Sequence, residues 1–348
     1  MIYFLSDAHL GSLAIERGWA HQKKLINMLE MMSEDAVSIY MLGDMFDFWM
    51  EYFIHDKEKR QYHPFCKEIR KLTKKGIHVH MFTGNHDLWT FGGLEKLTGA
   101  EIHYAPLSIT RYGKTLYLAH GDGLLPSNWE LLYPSRVRSK IRRFMRLREI
   151  FNSPTLQFLY RCLPPAWGNK IGYGWAKKSR LKEIANPCPF KGERKEELVL
   201  FAKDQEKQGN HRDYYIFGHR HIELDLQLES GSRVVILGDC FQQWTYAKLD
   251  KHGHLTMHNY EEGESHAYQR RATGCIRAAV RYHGRVAGEM PVGPQTDFRQ
   301  PAAEYDRGDV RTRHRHLAPR HERDKQRVRR RAAACGFLRQ NGQRDRRL

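Results

Sequence analysis

Cysteine is scarce in this sequence, and it is never arranged as a metal or disulfide motif requires. The six cysteines among 348 residues are scattered, and no two of them form a Cys-x-x-Cys pair. This scatter argues against a zinc ribbon, an iron–sulfur site and a disulfide scaffold, and it favours a reducing compartment. The N-terminal apolar stretch MIYFL is also short. Asp7 follows it too soon for a signal peptide or a spanning helix. We therefore expect a cytoplasmic protein.

Lysine is nearly absent from the last part of the chain. Of the net charge of +18, residues 264–348 contribute 21 basic against 9 acidic side chains, and 20 of those 21 are arginine. Residues 1–263 use both basic residue types and hold 37 basic against 31 acidic side chains. This small excess of basic side chains in residues 1–263 is modest for a surface that binds nucleic acid, so we expect no specific nucleic-acid partner.

Apolar periodicity is missing from the same arginine-rich tail, which predicts disorder. One interpretation is a basic arm for nucleic acid or acidic lipid. The other, which we favour, is a reading frame shifted near residue 263 that leaves a segment never selected to fold. A mass spectrum showing this tail intact in the native protein would reject the frameshift.

The rest of the sequence alternates short aromatic and β-branched runs with amphipathic stretches. Helices are predicted at 18–32 and 62–75, and strands at 2–5, 37–42, 77–82, 107–112, 115–120, 213–219, 222–228, 233–239, 245–250 and 254–260. The early alternation is typical of βαβ units, and the closely spaced late strands indicate a mixed sheet or a two-sheet sandwich. The fold class is therefore α/β.

A helical, aromatic and basic stretch at 125–190 divides this α/β core into 1–124 and 191–263. Helices with an apolar face and many cations can pack on their own core or lie on an anionic membrane surface. We interpret the stretch as a cap over the active site that binds lipid substrate and attaches peripherally to the inner face of the cell membrane.

Side chains that can bind metal follow five of the predicted strands. They lie in SDAHLG, LGDMFDF, TGNHD, AHGD and GHRH, and the candidates are Asp7, His9, Asp44, Asn85, His120, His219 and His221. Because the carboxyl ends of parallel strands line one crevice, these groups can converge. Oxygen and imidazole donors without thiolates suit Mn, Fe or Zn. Seven candidates are too many for one tetrahedral ion but suit two ions that share a carboxylate, an arrangement that activates phosphoryl transfer.

Each motif alone is a weak signal, whereas the ordered series is specific. The series resembles the calcineurin-like metallophosphoesterases over nearly all of residues 1–263. FLSDAHLG with GDMFDFW, and the basic aromatic insertion, resemble the UDP-2,3-diacylglucosamine hydrolases of lipid A biosynthesis. The resemblance implies a four-layer αββα core with two ions, expected to be Mn²⁺. One ion would be bound by Asp7, His9, Asp44 and His221, and the other by Asp44, Asn85, His120 and His219.

The same resemblance implies a lipid-linked UDP-sugar substrate, cleaved to UMP and 2,3-diacylglucosamine 1-phosphate, and no protein partner. His86, beside Asn85, is expected to protonate or hydrogen-bond the leaving oxygen, and Asp87 to orient a nearby histidine. Some family members carry arginine at the position of His86. The expected substrate contacts are Asn85, His86 and His219, with Asn128 after HGDGLLPS and Ser179, Arg180 and Lys182 in AKKSRLKE.

Two alternatives remain: a phosphoesterase acting on another nucleotide or nucleic acid, and a non-catalytic binding module with a basic tail. Other polar residues are interpreted as structural. His78 and His80 alternate along IHVHMF and share one sheet face, and Asp239 in ILGDCFQQW is expected to cap a loop near the site.

Overall fold

A computed structural model describes residues 1–14, 18–185 and 189–262. The arginine-rich tail predicted at 264–348 lies outside the described residues. Among the described residues, no helix combines the length and the apolar character that crossing a membrane demands.

The described chain contains eleven strands and eight α-helices. The strands are β1 (Ile2–Leu5), β2 (Ser38–Met41), β3 (His78–Phe82), β4 (Glu101–His103), β5 (Leu107–Arg111), β6 (Lys114–Ala119), β7 (Tyr214–Phe217), β8 (Glu223–Gln227), β9 (Arg233–Leu237), β10 (Thr245–Leu249) and β11 (Leu255–Asn259). The helices are α1 (Gly18–Met32), α2 (His63–Lys74), α3 (Gly93–Thr98), α4 (Trp129–Leu132), α5 (Ser135–Asn152), α6 (Pro154–Arg161), α7 (Pro165–Ala185) and α8 (Glu197–Lys207). A 3₁₀ helix at Lys57–Tyr62 leads into α2.

The strands form two mixed sheets. The first has the order β11-β10-β1-β2-β3-β4, in which β1 to β4 run parallel and β10 runs antiparallel to both of its neighbours, β1 and β11. The second has the order β5-β6-β7-β9-β8, in which β6, β7 and β9 are parallel. Parallel strands need crossovers, and helices α1, α2 and α8 supply three of them.

Burial of apolar side chains arranges these elements in four layers. Residues such as Phe4 and Tyr40 from the first sheet pack against Leu118 and Ile216 from the second. Helices α1 and α2 cover the outer face of the first sheet, and α8 covers the outer face of the second. Both sheets are thus covered on both faces, which explains why β1, β2 and β7 are buried at every position.

The structure confirms the predicted α/β class, the two-sheet sandwich and all ten predicted strands to within about two residues, the accuracy expected at element ends. It adds β4, which the sequence analysis missed because a strand of three residues has no readable alternation. It also adds α3 and α8. Four helices, α4 to α7, occupy the predicted insertion.

Truncation inside the sandwich is expected to destabilise the fold. Ile216 is fully buried between the sheets, so Ile216→Ala should lower the free energy of unfolding by about 2–5 kcal/mol, measured by urea denaturation. The control is Leu131→Ala, at a side chain that is 86% exposed, with an expected change below about 0.5 kcal/mol. Equal losses in the two variants would contradict the core assignment.

Candidate metal centre

Left-handed backbone is concentrated in the loops that carry the predicted ligands. Non-glycine residues rarely adopt positive φ, and those that do cluster at functional sites. Seven described non-glycine residues have positive φ, and five of them are predicted ligands: Asp7 (54°), His9 (45°), Asp44 (52°), His219 (66°) and His221 (47°). The strands therefore end in sharp turns that direct these side chains to one place.

The first group of donor atoms comes from Asp7, His9 and His221. His221 Nε2 lies 3.0 Å from Asp7 Oδ1 and 3.3 Å from His9 Nε2, and His9 Nε2 lies 3.7 Å from Asp7 Oδ1. Asp7 and His9 are fully buried. Three donors at this spacing can hold a divalent ion.

The second group comes from Asp44, His120 and His219, with Asn85 beside them. His120 Nε2 lies 3.3 Å from Asp44 Oδ2 and 3.3 Å from Asn85 Oδ1. Asp44 Oδ2 also lies 3.7 Å from His9 Nε2 of the first group. The Asp44 carboxylate is thus adjacent to both groups, and the clusters are compatible with two divalent ions.

The Nδ1 atoms of three of the predicted histidine ligands have partners that fix the orientation of the rings. His9 Nδ1 lies 3.2 Å from Asp47 Oδ1, and His221 Nδ1 lies 2.9 Å from Glu183 Oε1. His120 Nδ1 donates to the Leu42 carbonyl oxygen at 2.8 Å. With Nδ1 occupied, each ring presents Nε2 to the centre, and such carboxylate–histidine pairs typically support metal ligands.

Asp47 and Glu183 were missed by the sequence analysis. Asp47 is the second aspartate of GDMFDF, and Glu183 follows Arg180 by one helical turn. Both Asp47 oxygens are buried without a well-formed hydrogen bond, so the carboxylate depends on the nearby His9 ring and the Arg180 guanidinium, 3.2 Å and 3.9 Å from Oδ1. The sequence signal was an extra carboxylate near each motif, but it gave no indication of which histidine the carboxylate would contact.

Asp87 ties the ligand-bearing loops together. Oδ1 accepts hydrogen bonds from the backbone N–H of Asp44 and Gly84, and Oδ2 accepts from those of Met45 and Phe46. The prediction that Asp87 orients a histidine is therefore corrected, because its oxygens bind backbone N–H groups. Burial and the neighbouring Asp44 raise the pKa of Asp87 to about 6.

His86 lies at the edge of the centre and is buried. Its Nδ1 donates to the Asp47 carbonyl oxygen at 2.8 Å, and its ring contacts His9 edge-on at 4.9 Å between centroids. Burial lowers the pKa of His86, so the ring is neutral at pH 7 and its Nε2 is an acceptor. Both predicted roles at the leaving oxygen need a proton on Nε2, because a leaving oxygen accepts hydrogen bonds and does not donate them, so these roles stay predictions.

Of the four substrate contacts predicted outside the strand-end motifs, the structure brings one to the centre. Arg180 on α7 is buried, and its Nη1 lies 3.0 Å from His221 Nδ1 while its Nη2 lies 2.6 Å from His9 Nε2. The other three are exposed: Asn128 just before α4, and Ser179 and Lys182 on α7. Asp239 caps the loop after β9 as predicted, accepting from three backbone N–H groups.

Sequence similarity to known proteins shows which family this chain belongs to. A protein from Porphyromonas gingivalis named UDP-2,3-diacylglucosamine hydrolase is 34% identical over 259 residues, covering 72% of this chain and 94% of the relative. The chain belongs to the UDP-2,3-diacylglucosamine hydrolase family. Another member of that family, from Haemophilus influenzae, is 27% identical over 253 residues and covers 72% of this chain and 95% of its own length.

No protein-family profile matches the chain. Among solved structures, a dimetal phosphatase from Danio rerio aligns with a TM-score of 0.33 and 14% identity, over 75% of this chain and 98% of that one.

Three glycines in the strand-end motifs of this chain lie against side chains of the predicted metal ligands. A Cβ on Gly43 would lie 2.6 Å from His120 Nδ1, and one on Gly218 would lie 2.6 Å from Asp7 Oδ2. A Cβ on Gly84 would overlap Asp44 Oδ1. These approaches are far shorter than van der Waals contact. The glycines therefore let the loops carry their ligands close together.

Gly84→Ala is expected to disrupt the centre because the added methyl group overlaps the Asp44 carboxylate. Metal content, measured by elemental analysis of the purified protein, should fall below wild type while the circular dichroism spectrum stays native. Gly174→Ala is the matched control, since a Cβ there meets nothing within 4 Å and alanine favours helix. An unchanged metal content in Gly84→Ala would contradict the close approach.

Proposed function

We propose that this chain hydrolyses the pyrophosphate of UDP-2,3-diacylglucosamine, releasing UMP and 2,3-diacylglucosamine 1-phosphate. The observation that carries the proposal is the position of the Asp44 carboxylate between two groups of donor atoms, 3.3 Å from His120 Nε2 and 3.7 Å from His9 Nε2. The names of the relatives supply the substrate.

Two divalent ions would use the predicted ligand set. Asp7, His9, Asp44 and His221 would hold one, and Asp44, Asn85, His120 and His219 the other. Such a pair supplies Lewis-acid stabilisation of a phosphoryl group and a water of lowered pKa. Carboxylate, amide and imidazole donors without thiolate suit Mn²⁺, which we propose as the ion used. The pKa of His221 is lowered by burial but raised further by the negative charge of Asp7, with a net rise to about 9. Binding of a metal ion to His221 should therefore release a proton.

Arg180 and His86 are proposed to bind the substrate beside the ions. The Arg180 guanidinium carries a permanent charge and a planar fork of donors that matches phosphate oxygens. Its Nη1 is 2.6 Å from Glu183 Oε2, which holds the side chain over the histidines. The neutral His86 presents Nε2 as an acceptor for a substrate hydroxyl. Asp87 positions the loops and keeps Asp44 in place.

The helices α4 to α7 are proposed to form the cap that binds the acyl chains. Helix α7 reaches the centre through Arg180 and through Trp175, whose ring lies 5.4 Å from that of His86. Helix α5 is fastened to the core by a bond from Trp89 Nε1 to the Phe151 carbonyl oxygen at 3.0 Å. Large apolar side chains on these helices are exposed, including Phe144, Leu147, Ile150, Phe158, Leu159, Trp167 and Ile171.

Exposed apolar side chains interspersed with arginine and lysine are typical of helices that lie on an anionic lipid surface. Helix α5 alone carries Arg136, Arg138, Lys140, Arg142 and Arg143 within two turns. We propose that this face attaches the protein peripherally to the inner side of the cell membrane, where a diacylated substrate resides.

The substrate assignment is tested with the full chain and Mn²⁺ against three compounds: UDP-2,3-diacylglucosamine, UDP-N-acetylglucosamine and bis-p-nitrophenyl phosphate. We expect UMP release from UDP-2,3-diacylglucosamine but not from UDP-N-acetylglucosamine, detected by chromatography, and no p-nitrophenol from bis-p-nitrophenyl phosphate. Chelation of the metal should abolish the UMP release. Equal turnover of all three would reject the lipid substrate and leave a general phosphoesterase. No turnover of any compound by metal-loaded protein would favour the binding module.

The arginine-rich tail is not expected to contribute to this activity, because every donor proposed above lies before residue 263. A protein ending at residue 262 should keep kcat/KM for UDP-2,3-diacylglucosamine within about twofold of the full chain. Steady-state kinetics of the two proteins at equal Mn²⁺ concentration measure this. A large loss in the truncated protein would show that the tail takes part.

Asp47→Asn is expected to weaken metal binding without removing a ligand. Asp47 contacts His9 Nδ1, and loss of such a supporting carboxylate typically lowers metal affinity about 10–100-fold. The Mn²⁺ concentration for half-maximal activity should rise while kcat at saturating Mn²⁺ largely recovers. Asp225→Asn is the control, because Asp225 pairs with Arg233 on the second sheet. A loss of kcat that saturating Mn²⁺ does not restore would contradict this positioning role.

A further inference from the structure

A separate group of side chains with metal-binding chemistry lies on β3 and β4. Its members are His80, Glu101 and His103, and each offers one ligand atom within 4.8 Å of the others. The alternation in IHVHMF predicts a structural role for His80, and the short strand β4 that supplies the other two has no sequence signal. None of the three belongs to the centre described above.

The sheet register places the three side chains on one face. Side chains alternate along a strand, so Glu101 and His103 point to the same side of β4. His80 on β3 is the Cα partner of Glu101, and Phe82, two residues further along β3, is the partner of His103. Direct and diagonal cross-strand neighbours on one face are close enough for long side chains to touch.

The spacing of the donor atoms matches a single tetrahedral ion. His80 Nδ1 lies 3.1 Å from His103 Nε2 and 3.2 Å from Glu101 Oε2, and His103 Nε2 lies 3.7 Å from Glu101 Oε1. Two nitrogen ligands at the usual zinc bond length are about 3.3–3.4 Å apart at the tetrahedral angle. An ion therefore fits with small side-chain adjustments.

Aromatic stacking holds both rings in this arrangement. His80 stacks on Tyr40 with centroids 4.4 Å apart and planes 6° apart, and His103 stacks on Phe82 at 4.7 Å. The imidazoles are only 13% and 11% exposed, whereas Glu101 is 65% exposed. Burial lowers the pKa of both rings, so they are neutral at pH 7, the form that binds metal. The charge of Arg111, which also lowers the pKa of His80, opposes an ion and limits its affinity.

We propose that His80, Glu101 and His103 form a second metal site, for Zn²⁺ or a similar divalent transition ion, with a coordination position open to solvent. Two imidazoles and one carboxylate without thiolate favour such ions over Ca²⁺ and Mg²⁺. The bound ion joins the edge strand β4 to β3. It also supports the loop toward Asn85, since the Thr83 N–H donates to the His103 carbonyl oxygen at 3.0 Å.

The test compares the full-length wild-type protein with Glu101→Gln, His103→Gln and a control, His78→Gln. His78 is an exposed histidine on the same strand, outside the three-residue group. Each protein is stripped with a chelator, incubated with Zn²⁺, separated from free ion and analysed for zinc per chain. We expect wild type and His78→Gln to retain one zinc more than the other two. Zinc in the Asp44 centre is common to all four proteins and cancels in the comparison.

A second measurement uses thermal unfolding with and without Zn²⁺. Zinc should raise the midpoint further in wild type and His78→Gln than in Glu101→Gln, because an ion that binds only the folded state stabilises it. Glu101→Gln decides the question, since its exposed side chain can be replaced without disturbing the core. Equal zinc content in wild type and Glu101→Gln overturns the proposal, whether or not His103→Gln folds.

Discussion

The hydrogen bond from the His219 backbone N–H to Asp7 Oδ2, 2.8 Å long, joins the two sheets at the candidate metal centre. Asp7 follows the first strand of one sheet, and His219 follows β7 of the other. This contact requires Gly218, because any side chain there would overlap Ser6 and Asp7. If the sheets were packed in another register, the carboxylates of one sheet and the imidazoles of the other would not meet. The position of the centre thus depends on how the sandwich core packs.

Much of this architecture can be read from the sequence because it follows from local patterns. Runs such as IYFL and YYIF are wholly apolar, and in the structure β1 and β7 are buried on both faces. The ligand motifs come directly after such runs, so the rule that parallel strands end at a common edge brings them together without any knowledge of packing. Helix α1 likewise has the bounds that its periodicity predicts.

The remaining features depend on contacts that no local pattern encodes. Asp47 meets His9 only because the segment after β2 runs alongside the segment after β1, with a parallel bridge between Leu10 and Phe46. Glu183 reaches His221 from a helix that is distant in sequence. Asp87 is an aspartate like the predicted ligands Asp7 and Asp44, but its carboxylate accepts hydrogen bonds from four backbone N–H groups. Residue type suggests which side chains can bind metal, and packing decides which of them do.

The five left-handed residues at the centre have a consequence for how the protein can change. Each such conformation costs about 1–3 kcal/mol in a residue with a side chain, and glycine or asparagine would relieve part of it. At the three histidines, selection for thermal stability alone would therefore favour residues that do not bind metal. Directed evolution of a more thermostable variant must hold these positions fixed, or the gain in stability will come with a loss of metal binding.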